Sequence, residues 1–483
     1  MKYMLKTSFI TIITCVMIST SICFATPSSK KETGEHIWLG VLKVPNAELR
    51  MVIEIFRKAD GTLAAALSTP DQGTYGITVN EFSLENGTAR FTINAMGIVI
   101  EGTTSGEDLT INAQFKQGQR SLPLVLKTVE ELPARPPRKQ DPSKPYPYIE
   151  ESVVFDNSAG GVKLSGTLTL PRSKGAHPAV LLLAGSGPQD RDGTSFGHFR
   201  LLADYLTRNG FAVLRYDKRG IMRSTGDYKS ATSTDFSSDV LAGFRYLRSR
   251  TDINPKAIGM IGHSEGAFLA ALAASESPEV AFIVMLGGTG INHYDLCVLQ
   301  DCEEIGRSKG LSDADIRIIR NWSERFYAIA KFEKDDAVAG EKMRSMYGAM
   351  TDDEKRIIGS DESKMGWTLQ AKNALSPWFR EFIAFDPQPI LRKVTCPVLA
   401  LTGSKDVQCP PKANLKGIEE SLKAGGNTRY TVKEIPNLNH LFQSAITGST
   451  DEYGVLGETI APIVLETTTQ WMKGQTGRSV QPK

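Results

Sequence analysis

A chain of 483 residues is too long for one compact core, and at about 150 residues per domain it implies two or three units. It is 41% hydrophobic and 23% charged, with a formal charge of +2 and no long block of one charge sign. That composition is globular, and it argues against nucleic acid or a strongly anionic membrane as the partner.

The first 25 residues stand apart. Lys2 and Lys6 open the chain, an apolar run covers Ser8 to Ile22, and Cys23-Phe24-Ala25 follows with small residues at alternate positions. This is the pattern of a secretory signal, with cleavage expected after Ala25 and an exported product, periplasmic or extracellular. A membrane span normally needs about 20 unbroken apolar residues, and Thr11, Thr14, Ser19 and Ser21 interrupt this run. Bulky Ile22 speaks against a lipid anchor at Cys23. Cleavage would remove two lysines and no acid, taking the formal charge from +2 to about zero and leaving no integral membrane segment.

Residues 34–128 read as short strands between turn signals, such as Leu49–Ile55 before Asp60-Gly61, and Asn86-Gly87 before Thr88–Thr92. About eight such runs at spacings of about 8–12 residues predict an all-β domain over 26–131, a small barrel or sandwich. Its role is not written in its residues. Pro133, Pro136, Pro137, Pro142, Pro145 and Pro147 then mark a linker over 132–148, extended because proline fixes its own φ and restrains its predecessor.

From 149 to 483 strands alternate with helices. Ala179–Leu183, Phe211–Leu214, Ala257–Ile261, Phe282–Leu286 and Val398–Leu401 are continuous apolar runs, as parallel strands buried on both faces require. Amphipathic stretches at Phe199–Arg208, Asp235–Arg248 and Ala267–Ser275 separate the first of them. The fold class is therefore α/β, a doubly wound, mostly parallel sheet. Between about 290 and 390 the alternation stops. Charged helical segments such as Asp313–Lys331 and Asp352–Lys364 predict a helical cap, because no ordinary crossover is so long.

Four cysteines remain outside the leader. Cys297 and Cys302 point to different faces of one helix, and Cys396 and Cys409 bracket an extended strand. Neither pair can close on itself, and bridges between the pairs stay open. No cysteine or histidine spacing suggests a metal, and no cofactor motif is present.

Gly262-His263-Ser264-Glu265-Gly266 follows an apolar strand and opens a helical run. In that context it is a nucleophile elbow, holding Ser264 Oγ out at a helix N-terminus. A serine hydroxyl needs a base. Of the six histidines, His36 lies in the β-domain, His177 and His198 precede the elbow, and His293 begins the cap. His263 should point away, as a residue beside an elbow nucleophile does. His440 remains, after the last predicted strand. The orienting acid should lie between nucleophile and base in the chain, and Asp406 follows the strand at Leu399–Leu401, with Asp386 in reserve. The oxyanion requires two fixed donors. The backbone N–H of Glu265 is one, and that of Ser186 in Gly185-Ser186-Gly187-Pro188 is the other, with Gly187 in reserve. Asp190 stands where a dinucleotide-binding loop would need a third glycine, so that reading fails.

Gly185–Asp192, Tyr216-Asp217-Lys218-Arg219-Gly220, the Ser264 elbow, Ser376-Pro377-Trp378-Phe379 and Asn439-His440 together resemble a family of exported bacterial α/β-hydrolases. These are serine esterase-like, often carry a β-rich N-terminal extension, and are related to the prolyl-oligopeptidase and dienelactone-hydrolase branches. The resemblance spans about 145–475 and implies Ser264, Asp406 and His440 as the triad, with Ser186 and Glu265 at the oxyanion hole. Two positions depart from the family pattern: Met222 replaces a usual glycine, and Cys409 a usual aliphatic residue. Gly187, Gln189 and Trp378 are the candidate substrate contacts, Trp378 serving equally well as core.

The expected reaction is hydrolysis of a carboxylic ester, on a small molecule or a glycan, through an acyl-enzyme on Ser264. It needs no metal or organic cofactor. Two rivals stand beside it: a serine peptidase or amidase using the same residues, and a non-catalytic exported binding protein.

Overall fold

The computed structural model describes residues 34–44, 47–72, 74–105, 109–131, 138–193, 195–359 and 370–477. The leader expected at 1–25 and linker residues 132–137 lie outside them. The chain divides into two units: residues up to Pro137 together with Asp217–Lys229, and Arg138–Tyr216 together with Ser230–Lys483.

The first unit contains β1 (His36–Val44), β2 (Ala47–Arg57), β3 (Leu63–Thr69), β4 (Thr74–Val79), β5 (Glu81–Glu85), β6 (Thr88–Ile93), β7 (Ile98–Ser105), β8 (Thr110–Gln117) and β9 (Arg120–Thr128). They form one antiparallel sheet in the order β4-β3-β2-β1-β9-β8-β7-β6-β5. Its outermost strands, β4 and β5, are separated in the chain by Asn80 alone, so the sheet must roll until its edges meet. Asn80 stitches that seam, its N–H donating to Thr92 O at 2.7 Å and its Oδ1 accepting from Asn94 N at 2.8 Å. Alternate residues therefore face one interior, where Trp38, Ile53, Phe91, Ile100, Phe115 and Leu126 are fully or nearly fully buried. The strand count exceeds the sequence expectation because one residue between β4 and β5 gives no turn signal.

The segment Asp217–Lys229 belongs to this unit. Arg223 lies over the Phe56 ring at 5.2 Å and donates to Arg57 O at 3.2 Å and to Glu54 Oε1 at 3.2 Å. Burial raises the Glu54 carboxyl above its ordinary pKa, against the pull of Arg223. Met222 has φ 41°, the left-handed region that suits the glycine usual at this position. Its side chain packs on Gly76, where an added Cβ would sit 3.0 Å from Met222 Sδ.

The second unit holds β10 (Tyr148–Asn157), β11 (Val162–Pro171), β12 (His177–Leu183), β13 (Ala212–Tyr216), β14 (Ile253–His263), β15 (Ile283–Leu286), β16 (Val398–Gly403) and β17 (Tyr430–Ile435). Their order is β10-β11-β13-β12-β14-β15-β16-β17. β10 and β11 pair antiparallel, and the strands from β13 to β17 run parallel. Every residue of β12, β13, β15 and β16 is buried, which is why these strands read as unbroken apolar runs.

Helices cover both faces. Leu202 and Leu206 of α1 (His198–Arg208) and Val464 and Met472 of α11 (Pro462–Gln475) pack in one core with Val180, Leu182 and Val213. α2 (Ser233–Ser249) lies on the opposite face, where Gly243 approaches Leu181. α3 (Glu265–Glu276) follows β14, and α10 (Pro411–Ala424) separates β16 from β17.

Between β15 and β16 the chain makes α4 (His293–Asp301), a π turn at Cys302–Gly306, α5 (Asp313–Phe332), α6 (Asp336–Gly348), α7 (Asp352–Ile357), α8 (Pro377–Ala384) and α9 (Pro387–Leu391). Ser312, Asp335, Thr351 and Ser376 cap the starts of α5, α6, α7 and α8 by accepting backbone N–H groups. Ile319, Trp322, Phe326 and Met343 give this helical cap its own core. α7 is shorter than the helical run read at Asp352–Lys364, whose end falls in 360–369, outside the described residues. Cys297, Cys302, Cys396 and Cys409 are all free and buried. Burial raises each of these thiols above its ordinary pKa, Cys396 to about 12.

Candidate active site

Chemistry-bearing residues gather where the parallel strands end. Ser264 follows β14 with φ 55° and ψ −122°, a strained conformation for a side chain with a Cβ. Two hydrogen bonds hold it there: Ser264 N–H donates to Leu286 O, and Ala267 N–H to Ser264 O, each at 2.9 Å. The flanking glycines are required by crowding. A Cβ at position 262 would lie 1.9 Å from Gly266 O, and one at 266 would lie 2.1 Å from Leu183 O.

Asp406 leaves the end of β16 and is 3% exposed; His440 follows β17 and is 2% exposed. Asp406 Oδ1 accepts the backbone N–H groups of Gln408 at 2.9 Å and Cys409 at 2.7 Å. Its other oxygen, Oδ2, takes His440 Nδ1 at 2.8 Å. With Nδ1 donating to the carboxylate, Nε2 is the nitrogen left to accept a proton. The ring comes close to Gly287, where an added Cβ would be 3.1 Å from His440 Cε1 and 3.3 Å from Asp406 Oδ2. Gly287 directly follows Leu286, the residue that holds Ser264 N–H. Asp386, the reserve acid, is instead the N-cap of α9, accepting Gln388 N–H at 3.0 Å.

The elbow motif alone predicts that His263 points away from the chemistry. Its Nε2 instead donates to the backbone carbonyl of His440 at 2.8 Å, and the two rings lie 4.6 Å apart. The neighbour of Ser264 thus anchors the loop that carries His440. No sequence signal marks this, because the partner is a backbone atom. His263→Ala should lower turnover about tenfold, the effect of one lost buried hydrogen bond, with the fold retained. Steady-state kinetics beside circular dichroism check this, and an unchanged kcat would contradict it.

The loop after β12, expected to supply an oxyanion donor, passes Ser264 closely: a Cβ at Gly185 would be 3.1 Å from Ser264 Cβ. Gln189 Nε2 donates to Ser186 O at 3.0 Å and braces that loop, and Gly187 has φ 93°. Glu265 opens α3, and its N–H lies in the helix's first turn, where backbone donors point out along the helix axis. Trp378, read as a substrate contact or core residue, donates its indole N–H to Glu265 Oε1 at 2.7 Å. Asp192 is paired with Arg215 at 2.7 Å, and Arg191 donates to Ser165 Oγ at 2.8 Å, so this acidic and basic stretch is tied into the unit.

Arg138 and Gln443 brace the chain that follows His440. Arg138 donates to Glu458 O at 2.9 Å and Tyr453 O at 3.0 Å, and Gln443 Nε2 reaches the same two carbonyls at 2.8 Å and 3.3 Å. Among the described residues no group of three or more histidines, cysteines or carboxylates is placed to hold a metal ion. No helix among them is long and apolar enough to cross a membrane.

Burial lowers His198 and His293 to a pKa of about 4 and His263 well below the ordinary value. All three are neutral in the folded chain, while the unfolded chain takes up their protons below about pH 6.5. Their stabilisation is complete above about pH 6.5 and is lost as pH falls towards 4, on the order of 3 kcal/mol for each of His198 and His293. Burial raises Asp301 to about 6, an opposite effect that offsets about one histidine. The melting temperature should therefore fall between pH 6.5 and 4. A constant or rising value would contradict this reading.

An eight-stranded sheet with the elbow on its fifth strand in chain order, an acid after β16 and a histidine after β17 defines the α/β-hydrolase class. The chain belongs to the X-Pro dipeptidyl-peptidase (S15) family, which it matches over residues 160–416. It is 25% identical over 395 residues to Esterase EstD of Thermotoga maritima, covering 81% of this chain and 80% of that protein. Among solved structures it is similar to the Pyrococcus furiosus esterase PF2001, with 16% identity and a TM-score of 0.42 over 71% of this chain and 97% of that one. It is also similar to the α/β-hydrolase GrgF from Penicillium, with 16% identity and a TM-score of 0.44 over 68% of this chain and 99% of that one. The chain is a serine hydrolase.

Proposed function

We propose that this serine hydrolase cleaves carboxylic esters through an acyl-enzyme on Ser264. The observation that carries the reading is the Asp406–His440 pair at 2.8 Å, beside a serine held at φ 55°. The relationship to Esterase EstD supports the ester class. In this mechanism His440 Nε2 takes the Ser264 proton as Oγ attacks the acyl carbon, and the N–H groups of Glu265 and Ser186 receive the oxyanion. His440 then protonates the departing alcohol. Water, deprotonated by the same nitrogen, releases the acid and restores the serine. Gly187 and Gln189 contribute to the substrate side of the oxyanion loop. The substrate is a small-molecule or glycan ester, and residues 1–25 direct export.

Peptide hydrolysis is the second reading, favoured by the family's X-Pro dipeptidyl-peptidase membership. The leaving group is chosen by the pocket and not by the nucleophile's motif. The two are separated with short-chain p-nitrophenyl esters beside dipeptidyl X-Pro anilides. Ester turnover well above anilide turnover is expected. The reverse ratio would replace the esterase reading by the peptidase one.

A further inference from the structure

We propose that the Glu265 side chain is a positioning group that locks the nucleophile elbow to the cap through Trp378. This rests on Ser264 as nucleophile and the Glu265 N–H as an oxyanion donor. A carboxylate on the first residue of a helix ordinarily reaches solvent, yet Glu265 is 2% exposed. A buried carboxylate must be met by donors. Glu265 Oε1 accepts Ser233 Oγ–H at 2.8 Å and Trp378 Nε1–H at 2.7 Å. Glu265 and Ser233 are the first residues of α3 and α2, and Trp378 is the second residue of α8. One carboxylate thus lies among the N-terminal ends of three helices, where helix dipoles favour negative charge.

The cap helix is pinned a second time on the same side. Glu381, three residues after Trp378, accepts Thr234 N–H at 3.0 Å and Thr234 Oγ1–H at 2.8 Å. The next residue, Phe382, stacks on His293 at 4.1 Å, and its carbonyl accepts His293 Nδ1–H at 2.9 Å. α8 is therefore held against the start of α2 and the elbow by bonds to buried Glu265 and His293 and by an exposed pair with Thr234. The Glu265 side chain shares its residue with the proposed oxyanion donor, so a shift of α8 is transmitted to the peptide N–H aimed at the reacting oxygen. Trp378 then acts through Glu265, and its indole N–H matters separately from its ring surface.

The test is Trp378→Phe, which keeps an aromatic ring and removes the donor. Expected is a fall in kcat of about tenfold with KM changed by less than about twofold. Glu265→Ala should lose more, and Glu265→Gln, whose amide oxygen still accepts both donors, should recover part of that loss. The double variant Glu265→Ala/Trp378→Phe should be no worse than Glu265→Ala alone, because Trp378 acts through the Glu265 carboxylate. A raised KM with unchanged kcat in Trp378→Phe would make Trp378 a substrate wall and overturn the proposal. Additive losses in the double variant would overturn it as well. Should Glu265→Ala fail to fold, as judged by circular dichroism, the kcat and KM split of Trp378→Phe still decides. Failure of the nucleophile assignment is separate: it shows as ester turnover surviving Ser264→Ala.

Discussion

Ser264→Ala should lower ester turnover by about 10,000-fold or more while leaving the fold unchanged. In the proposed mechanism Oγ is the atom that forms the acyl bond, and alanine has no atom to replace it. The alanine Cβ occupies space already used by the serine Cβ, so the elbow at φ 55° keeps its hydrogen bonds to Leu286 and Ala267. Residual catalysis would come from the oxyanion donors and from substrate binding alone. Kinetics on a p-nitrophenyl ester, with circular dichroism as control, measures this. Turnover within tenfold of the parent protein would place the nucleophile elsewhere.

Asp406→Asn is expected to cost about 10,000-fold for a different reason. The acid's two oxygens have unequal tasks: Oδ1 receives two backbone N–H groups, and Oδ2 receives His440 Nδ1. An amide has one acceptor. The N–H groups of Gln408 and Cys409 claim it, so the amide NH2 is turned towards His440. Nδ1 must then accept, which puts the imidazole proton on Nε2, the nitrogen that should take the proton from Ser264. The geometry survives while the tautomer is wrong. The loss should therefore appear in kcat, with KM and melting temperature little changed. A loss confined to KM would contradict this account.

Much of the second unit was legible in the sequence because its central strands are buried on both faces. β12, β13, β15 and β16 carry no exposed residue, so each appears as an unbroken apolar run. β10 and β11 did not stand out. β10 alternates buried and exposed residues beside a proline-rich linker, and it resembles the strands of the first unit more than its own neighbours. β17 is a sheet edge with mostly exposed or half-buried residues and reads faintly for the same reason.

Around Ser264 the sequence revealed residues whose chemistry depends on their own side chains at fixed chain order. It could not reveal residues whose partners are backbone atoms or lie far along the chain. His263 meets a carbonyl 177 residues away, and Glu265 meets an indole 113 residues away. Met222 is a mixed case. Its departure from the family's glycine was visible, but the cost is a left-handed φ at 41° and the offset is packing on Gly76, both of which require coordinates.

The proposed mechanism makes a covalent bond to one oxygen atom, Ser264 Oγ. The protein should be incubated with a fluorophosphonate or a slowly deacylating ester, quenched, digested with trypsin and mapped by mass spectrometry. The adduct is expected on the peptide 257–307, which lies between Lys256 and Arg307 and contains Ser264. Fragmentation should place it on Ser264, and Ser264→Ala should carry none. An adduct on another residue, or full labelling of Ser264→Ala, would contradict the assignment.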